Sequence, residues 1–165
     1  MHLVRFILPC LLLMFQPLKA KVEAPNYHFS INELNSFLPG KTIEPVSGQY
    51  LLLNKKGDIH LYKTEIRAER YLIPIFITLE KNKIIDFYAK LPSYFLHDVF
   101  FQSLINRFGK QDSYKMKDEH AVYRWDQKEL LIHYSATCTI TCFLLYLSIA
   151  SQQHKDKSLL NQLKF

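Results

Sequence analysis

Cys138 and Cys142 sit four positions apart in Ser135-Ala136-Thr137-Cys138-Thr139-Ile140-Thr141-Cys142-Phe143, a run with β-strand character. In a straight strand, residues four apart are separated by about 13 Å. A disulfide needs Cα atoms roughly 4.4–6.8 Å apart. Bonding therefore requires the chain to turn at Thr139-Ile140-Thr141, which makes the two cysteines the facing pair of a hairpin. The three β-branched residues between them oppose a helical turn. A structural Cys138–Cys142 bridge is expected, with two buried thiols as the plainer alternative. So short a loop removes little chain entropy, and about 1–2 kcal/mol of stabilisation is the expected return.

Histidines are the next chemistry-bearing residues. His60, His97, His120 and His133 fall inside expected elements. If Asp126-Gln127-Lys128-Glu129 closes a hairpin, His120 and His133 come to adjacent strands and one face. With Cys138 and Cys142 they would make four soft metal ligands. No C-x-x-C or H-x-x-x-H pairing supports this, and bridged sulfurs do not ligate zinc as thiolates. The His120/His133 site is the weaker reading, and no metal or other cofactor is expected.

Local catalytic motifs are absent from the sequence: no G-x-S-x-G elbow, no P-loop and no dinucleotide loop. Thiol oxidoreductases place their cysteines closer, at a helix start where the dipole lowers the thiol pKa. The carboxylates at Asp86, Asp98, Asp118, Glu119, Asp126 and Glu129 fall mostly at turns or on solvent faces. Basic residues beside aromatics give a binding alternative. Lys55, Lys56, Lys81, Lys83 and Arg124, with Tyr123 and Trp125 flanking the arginine, lie at or near expected hairpin turns. Such a set suits an anionic surface ligand or an envelope protein, with no specific nucleic-acid signal. Lysines at turns also serve simply to blunt strand edges.

The elements that position these residues follow from pattern. Ser30, with Glu33 three residues on, forms a helix-start signature, and Phe29 and Leu34 are placed as a hydrophobic staple. Pro39-Gly40 ends that short helix. Residues 48–66 form a hairpin turning at Asn54–Asp58. Residues 70–91 form another, with Tyr71, Ile73, Ile75, Ile77 and Leu79 alternating along one face. Pro74 lacks an N–H, so its strand is expected to be an edge or to bulge there. A helix over Ser93–Phe108 carries Leu96, Phe100, Leu104 and Phe108 at helical spacing and ends at Gly109. Three strands follow, in 119–125, 130–137 and 142–150. Residues 151–165 are a polar tail with Leu159, Leu160 and Leu163 spaced for a short helix.

Residues 1–20 read as a signal peptide: Arg5, an apolar run from Phe6 to Phe15, and Ala20 before the expected cut. The apolar run is shorter than the roughly 20 residues a bilayer requires, so no transmembrane segment is expected after cleavage. A retained anchor is the alternative. The chain of 165 residues carries 21 basic and 15 acidic side chains, and 48% hydrophobic content argues against disorder. Its positive charge is mild and suits an acidic partner.

Residues 21–150 are expected to form a single α+β domain, an antiparallel β-sheet packed by one long and one short helix. The order helix, strands, helix, strands suggests two tandem α-β-β-β(β) units, 29–91 and 93–150. Tyr50 to Ile59-His60 spans the same interval as Tyr123 to Ile132-His133, and Gly40-Lys41 and Gly109-Lys110 end the two helices. In element order alone this resembles envelope proteins of the BamE and β-lactamase-inhibitor type. Their Gly-Met-Thr turn is absent, so no residue role is carried over. The functional expectation is a small exported, periplasmic or secreted, non-enzymatic binding module of the cell envelope. The alternative is a secreted enzyme, such as a metal-dependent hydrolase using the strand histidines.

Overall fold

The computed structural model describes residues 30–46, 48–68, 71–92, 97–138 and 142–157, with the side chain of Phe143 excepted. The expected leader, Phe29, Ser93, Leu96, the loop residues 139–141 and the tail beyond 157 lie outside that set. Within it, an eight-stranded antiparallel sheet dominates. Its strands are β1 (Leu51–Lys56), β2 (Ile59–Ala68), β3 (Tyr71–Glu80), β4 (Lys83–Leu91), β5 (Ser113–Lys117), β6 (His120–Asp126), β7 (Leu130–Cys138) and β8 (Cys142–Ser151). The spatial order is β1-β2-β3-β4-β8-β7-β6-β5. Each half is a four-stranded meander, and the two halves meet through β4 and β8, antiparallel to each other.

Alternation along the strands assigns one face to the core. Ile73, Ile75 and Ile77 of β3 are fully buried, and so are Phe87 and Ala89 of β4, Leu145, Leu147 and Ile149 of β8, and Ile132, Tyr134 and Ala136 of β7. These residues register across the strands as Ile75↔Ala89↔Leu147↔Tyr134 and Ile77↔Phe87↔Ile149↔Ile132. Fully burying one such aliphatic side chain is worth about 1.5–3 kcal/mol, so this layer carries most of the cohesion.

Two helical segments cover that face. Helix α1 runs His97–Phe108 and buries Phe100 and Leu104. Gly109, at φ 80°, ends it by donating its N–H to the Ile105 carbonyl at 2.8 Å, a left-handed C-cap that glycine accepts without steric cost. The first segment, Ile31–Phe37, is a 3₁₀ helix, where the sequence pattern predicted an α-helix. Ser30 still caps it, its hydroxyl accepting from the Asn32 N–H at 3.2 Å. Seven residues stopped by Pro39 offer too few i→i+4 bonds to favour the α form over the tighter turn. Ile31, Leu34 and Phe37 face inward. The two segments are joined where the Ile31 N–H donates to Ser103 Oγ at 3.1 Å and Arg107 donates to the side chains of Asn32 and Asn35.

Strand β5 was not anticipated, and it completes the second meander. It is exposed at all five positions, as β1 is at all six, because these are the two sheet edges. With no buried face, β5 has no hydrophobic alternation. Its turn to β6 is Asp118-Glu119, both at positive φ, without the glycine or asparagine that marks such turns. Pro74 lies on an interior strand and not on an edge. It pairs with Glu65 of β2, while the ladder to β4 starts one residue later at Ile75 and has its irregularity at Thr78/Leu79. The chain after β8 forms a kinked 3₁₀ segment, Gln152–Lys157. No helix among the described residues is long and apolar enough to cross a membrane.

Phe100→Ala and Leu104→Ala should each lower unfolding free energy by about 2–5 kcal/mol. Met116→Ala on edge strand β5 should change it by about 0.5 kcal/mol or less. Urea melts of the three variants test this ranking, and near-neutral results at both helix positions would make α1 peripheral.

Candidate functional site

Chemistry-bearing side chains gather in two places, one on each face of the sheet. The first lies on the helix face, where α1 begins above the β7–β8 hairpin. Cys138 and Cys142 are bonded there, with Sγ atoms 2.11 Å and Cα atoms 3.9 Å apart, and they are direct register partners on antiparallel strands. The Cys138 N–H donates to the Glu119 carbonyl at 2.8 Å, fixing the hairpin end to the β5–β6 turn. His97 stands beside the bridge: one of its ring nitrogens and the two sulfurs lie within 4.8 Å of one another, all three residues half-buried.

Aromatic packing holds the His97 ring in place. It stacks on Phe101 (centroids 5.8 Å, planes 10° apart) and on Tyr134 (5.6 Å, 13°). Its Nδ1 lies 2.9 Å from the Tyr134 hydroxyl. Phe101, Tyr123 and Tyr114 extend the cluster toward β5. Burial holds the His97 imidazole below its ordinary pKa, opposed by nearby Asp98. Burial likewise raises the hydroxyls of Tyr134 and Tyr123. At neutral pH the cluster is therefore uncharged, a neutral imidazole beside protonated phenols and a disulfide.

The second place is the opposite face, which neither α1 nor the first 3₁₀ segment covers; it is exposed at Lys90, Lys115 and Arg124 and buried at Thr78, Asp86, Ser148 and Ala150. Register defines a row crossing six strands there: Lys63, Phe76, Tyr88, Ser148, His133 and Arg124. At about 4.8 Å per strand it spans roughly 24 Å. A parallel row reads Lys90, Tyr146, Ser135, Val122 and Lys115. Phe76, Tyr88 and Tyr146 form a contiguous aromatic patch, with Tyr88 and Tyr146 stacked at 5.5 Å and Phe76 against Tyr88 at 6.1 Å. All three rings are half-buried. Cations close both rows at both ends. Lys63 and Arg124 are paired with Glu65 (3.9 Å) and Asp126 (2.8 Å). Lys90 and Lys115 are exposed and make no ion pair among the described residues. His133 is lowered by burial first and by the Arg124 guanidinium second.

The residues singled out by sequence fall differently. Lys55, Lys56, Lys81 and Lys83 do converge, at the end of the sheet where the β1–β2 and β3–β4 turns adjoin, and Lys56, Ile59, Glu80 and Lys83 form one register row. That end is not a bare cationic patch. Glu80 sits in its middle, 2.6 Å from Lys157 Nζ and 3.2 Å from His154 Nε2, and its hydrogen bond to Lys157 is the main cause of its lowered pKa. Tyr123 and Arg124 are separated by alternation onto opposite faces. Trp125 is fully buried and donates Nε1–H to the Gly109 carbonyl at 2.8 Å, so it is a core residue and not a surface contact.

His120 and His133 do not share an ion. The β6–β7 register pairs His120 with Thr137 and His133 with Arg124, which sets the histidines four residues apart along the sheet, about 13 Å. His120 Nδ1 is instead 2.7 Å from the Thr137 hydroxyl. The sequence reading had placed both rings on one face correctly but not at one level. It also left unused the aromatics Phe76, Tyr88 and Tyr146, whose signal was the alternation itself: Tyr88 and Lys90 occupy the positions of β4 that skip the core. Comparisons with family models, with curated proteins and with solved structures find no match to this chain.

Folding keeps His97 and His133 neutral, while an unfolded chain protonates them near pH 6.5. The unfolded state therefore binds more protons below that value. This contribution to stability is complete above pH 6.5 and is lost as pH falls toward the depressed folded-state values. Urea midpoints should be flat above neutrality and decline on acidification through pH 6.5, and the decline should shrink in His97→Gln and His133→Asn. A decline of the same size in both variants would assign the acid sensitivity elsewhere.

Proposed function

We propose that the protein is a small exported, non-enzymatic binding module of the cell envelope, which holds an acidic segment of another envelope protein along the exposed cationic ends and half-buried aromatics of the sheet face that α1 leaves uncovered. The observation that carries this reading is the pair of register rows in which half-buried aromatics occupy the centre and cations occupy both ends. Aromatic faces give contact area at low entropy cost, and flanking cations fix register and steer approach. Lys90 and Lys115, having no ion pair among the described residues, are the groups a carboxylate-rich partner would engage first. The lysines at the β1–β2 and β3–β4 turns are, in this reading, solvated edge-blunting residues.

Export is supported by the leader-like residues 1–20 and by a disulfide that persists best in an oxidising compartment. Tandem construction from two units is supported by the matching order of the halves, each a helical segment followed by a four-stranded meander. N-terminal sequencing of exported material should begin at Lys21, and Met1 found on fractionated membranes would refute cleavage.

Poly-L-glutamate is a suitable first probe of the open face. Its binding should weaken as salt rises, and the double reversal Lys90→Glu/Lys115→Glu should weaken it about tenfold or more. A double reversal at Lys55 and Lys81 should matter much less. If the two double variants lose affinity equally, the effect is one of net charge and the face has no special role. Tight binding of an anionic polysaccharide with none of polyglutamate would move the partner from protein to surface polymer.

A further inference from the structure

The open-face reading leaves the His97 cluster unused. Its three donor residues come from separate elements: His97 from the start of α1, Cys138 from the end of β7 and Cys142 from the start of β8. Half-burial leaves them reachable from solvent. Stacking on Phe101 and Tyr134 fixes the imidazole plane, and the Tyr134 hydroxyl engages Nδ1. With Nδ1–H donating to that hydroxyl, the tautomer that ligation through Nε2 requires, Nε2 carries the lone pair. A histidine whose second nitrogen is held by a neighbouring polar group is the usual arrangement around a protein-bound metal.

We propose that reduction of the Cys138–Cys142 bridge turns His97, Cys138 and Cys142 into a three-ligand site for a thiophilic divalent cation, zinc being the type case. Tetrahedral zinc with Zn–S near 2.3 Å and Zn–N near 2.0–2.1 Å sets its donors about 3.5–3.8 Å apart. The donors here already lie within 4.8 Å of one another. Bonded to each other, the two sulfurs cannot both take donor positions on one ion, and breaking the bond frees them to do so. A water completes the tetrahedron.

The chemistry balances as follows. A thiolate of an external dithiol attacks one sulfur of the bridge and forms a mixed disulfide, expelling the other sulfur as a thiolate, which takes up a proton. The second thiol of the reductant then displaces the first cysteine, so the reductant leaves oxidised and two thiols remain on the chain. Zinc binding then displaces one proton from each thiol to solvent, while His97, neutral at physiological pH, gives up none. The bridged form has no thiolates and does not hold the ion. The site is therefore a redox-gated one, closed when oxidised. It is independent of the open-face reading, since its residues lie on the other side of the sheet.

The test uses the full chain, prepared in bridged form and after phosphine reduction, with zinc chloride titrated calorimetrically and cobalt(II) as a spectroscopic stand-in. The reduced chain should bind one zinc with release of two protons, and its cobalt form should show thiolate-to-metal charge-transfer absorption. The bridged chain should bind at least about a hundredfold more weakly, and reduced His97→Gln about ten- to a hundredfold more weakly. His120→Ala should be unchanged. Should His97→Gln fail to fold, imidazole NMR of the reduced wild type replaces it, with the His97 ring shifting on zinc addition and the His120 ring not. No zinc uptake by the reduced chain, equal uptake by the bridged chain, or a His97 ring unmoved by zinc would each overturn the proposal.

Discussion

Antiparallel pairing of β4 with β8 is the constraint on which the rest of the molecule depends. It joins two meanders into one sheet and puts the last strand of each half at the centre. Leu91, Ala89 and Phe87 meet Leu145, Leu147 and Ile149 across this seam, and all six are buried beneath the helical segments. The same pairing aligns both faces. On the helix side it unites the cores of the two halves, and on the other it brings Tyr88 of the first half against Tyr146 of the second. Neither face would be continuous without it. The β1 and β5 edges follow as well, since the first strand of each half is left outermost.

How much of this could be read beforehand depended on whether a residue's neighbours in space are set by local pattern. The alternation of Ile73, Ile75 and Ile77 and the helical spacing of Phe100 and Leu104 are local signals, and they located the core correctly. The cysteine bridge was also local: two cysteines four positions apart, facing each other across paired strands, decide it. Register between strands is not local in this sense. A hairpin inferred from Asp126–Glu129 placed His120 and His133 on one face, but their level depends on which residues pair, and here His120 pairs with Thr137 and His133 with Arg124. Trp125 misled for a related reason. Next to Arg124 it looked like a surface aromatic, yet adjacent strand positions point to opposite faces.

The two chemistry-bearing places differ in how they are built. The open face is assembled from strand positions alone, and its geometry is as rigid as the sheet. The His97 cluster is assembled from a helix start and a hairpin end, so its shape depends on how α1 sits on the sheet. Phe100 and Leu104 set that placement, and the ring stack of His97, Phe101 and Tyr134 transmits it to the hairpin end. Sequence distance hid this cluster, because nothing near His97 in the chain announces Cys138.

The position of the seam also dictates an order of events as the chain is made. β1 to β4 can pair as they emerge, but the free edge of β4 stays bare until β8, the last strand, has appeared. Ile84, Ile85, Phe87 and Leu91 on that strand are apolar, with Asp86 its one central charge and Lys83 and Lys90 near its ends, so the half-made molecule presents a largely apolar edge of the kind that recruits other strands. The finished protein has blunt edges at β1 and β5, and the unfinished one does not. A chain of this topology therefore has its greatest exposure to misassembly late in synthesis, and the interval ends with the closing of a single strand pair.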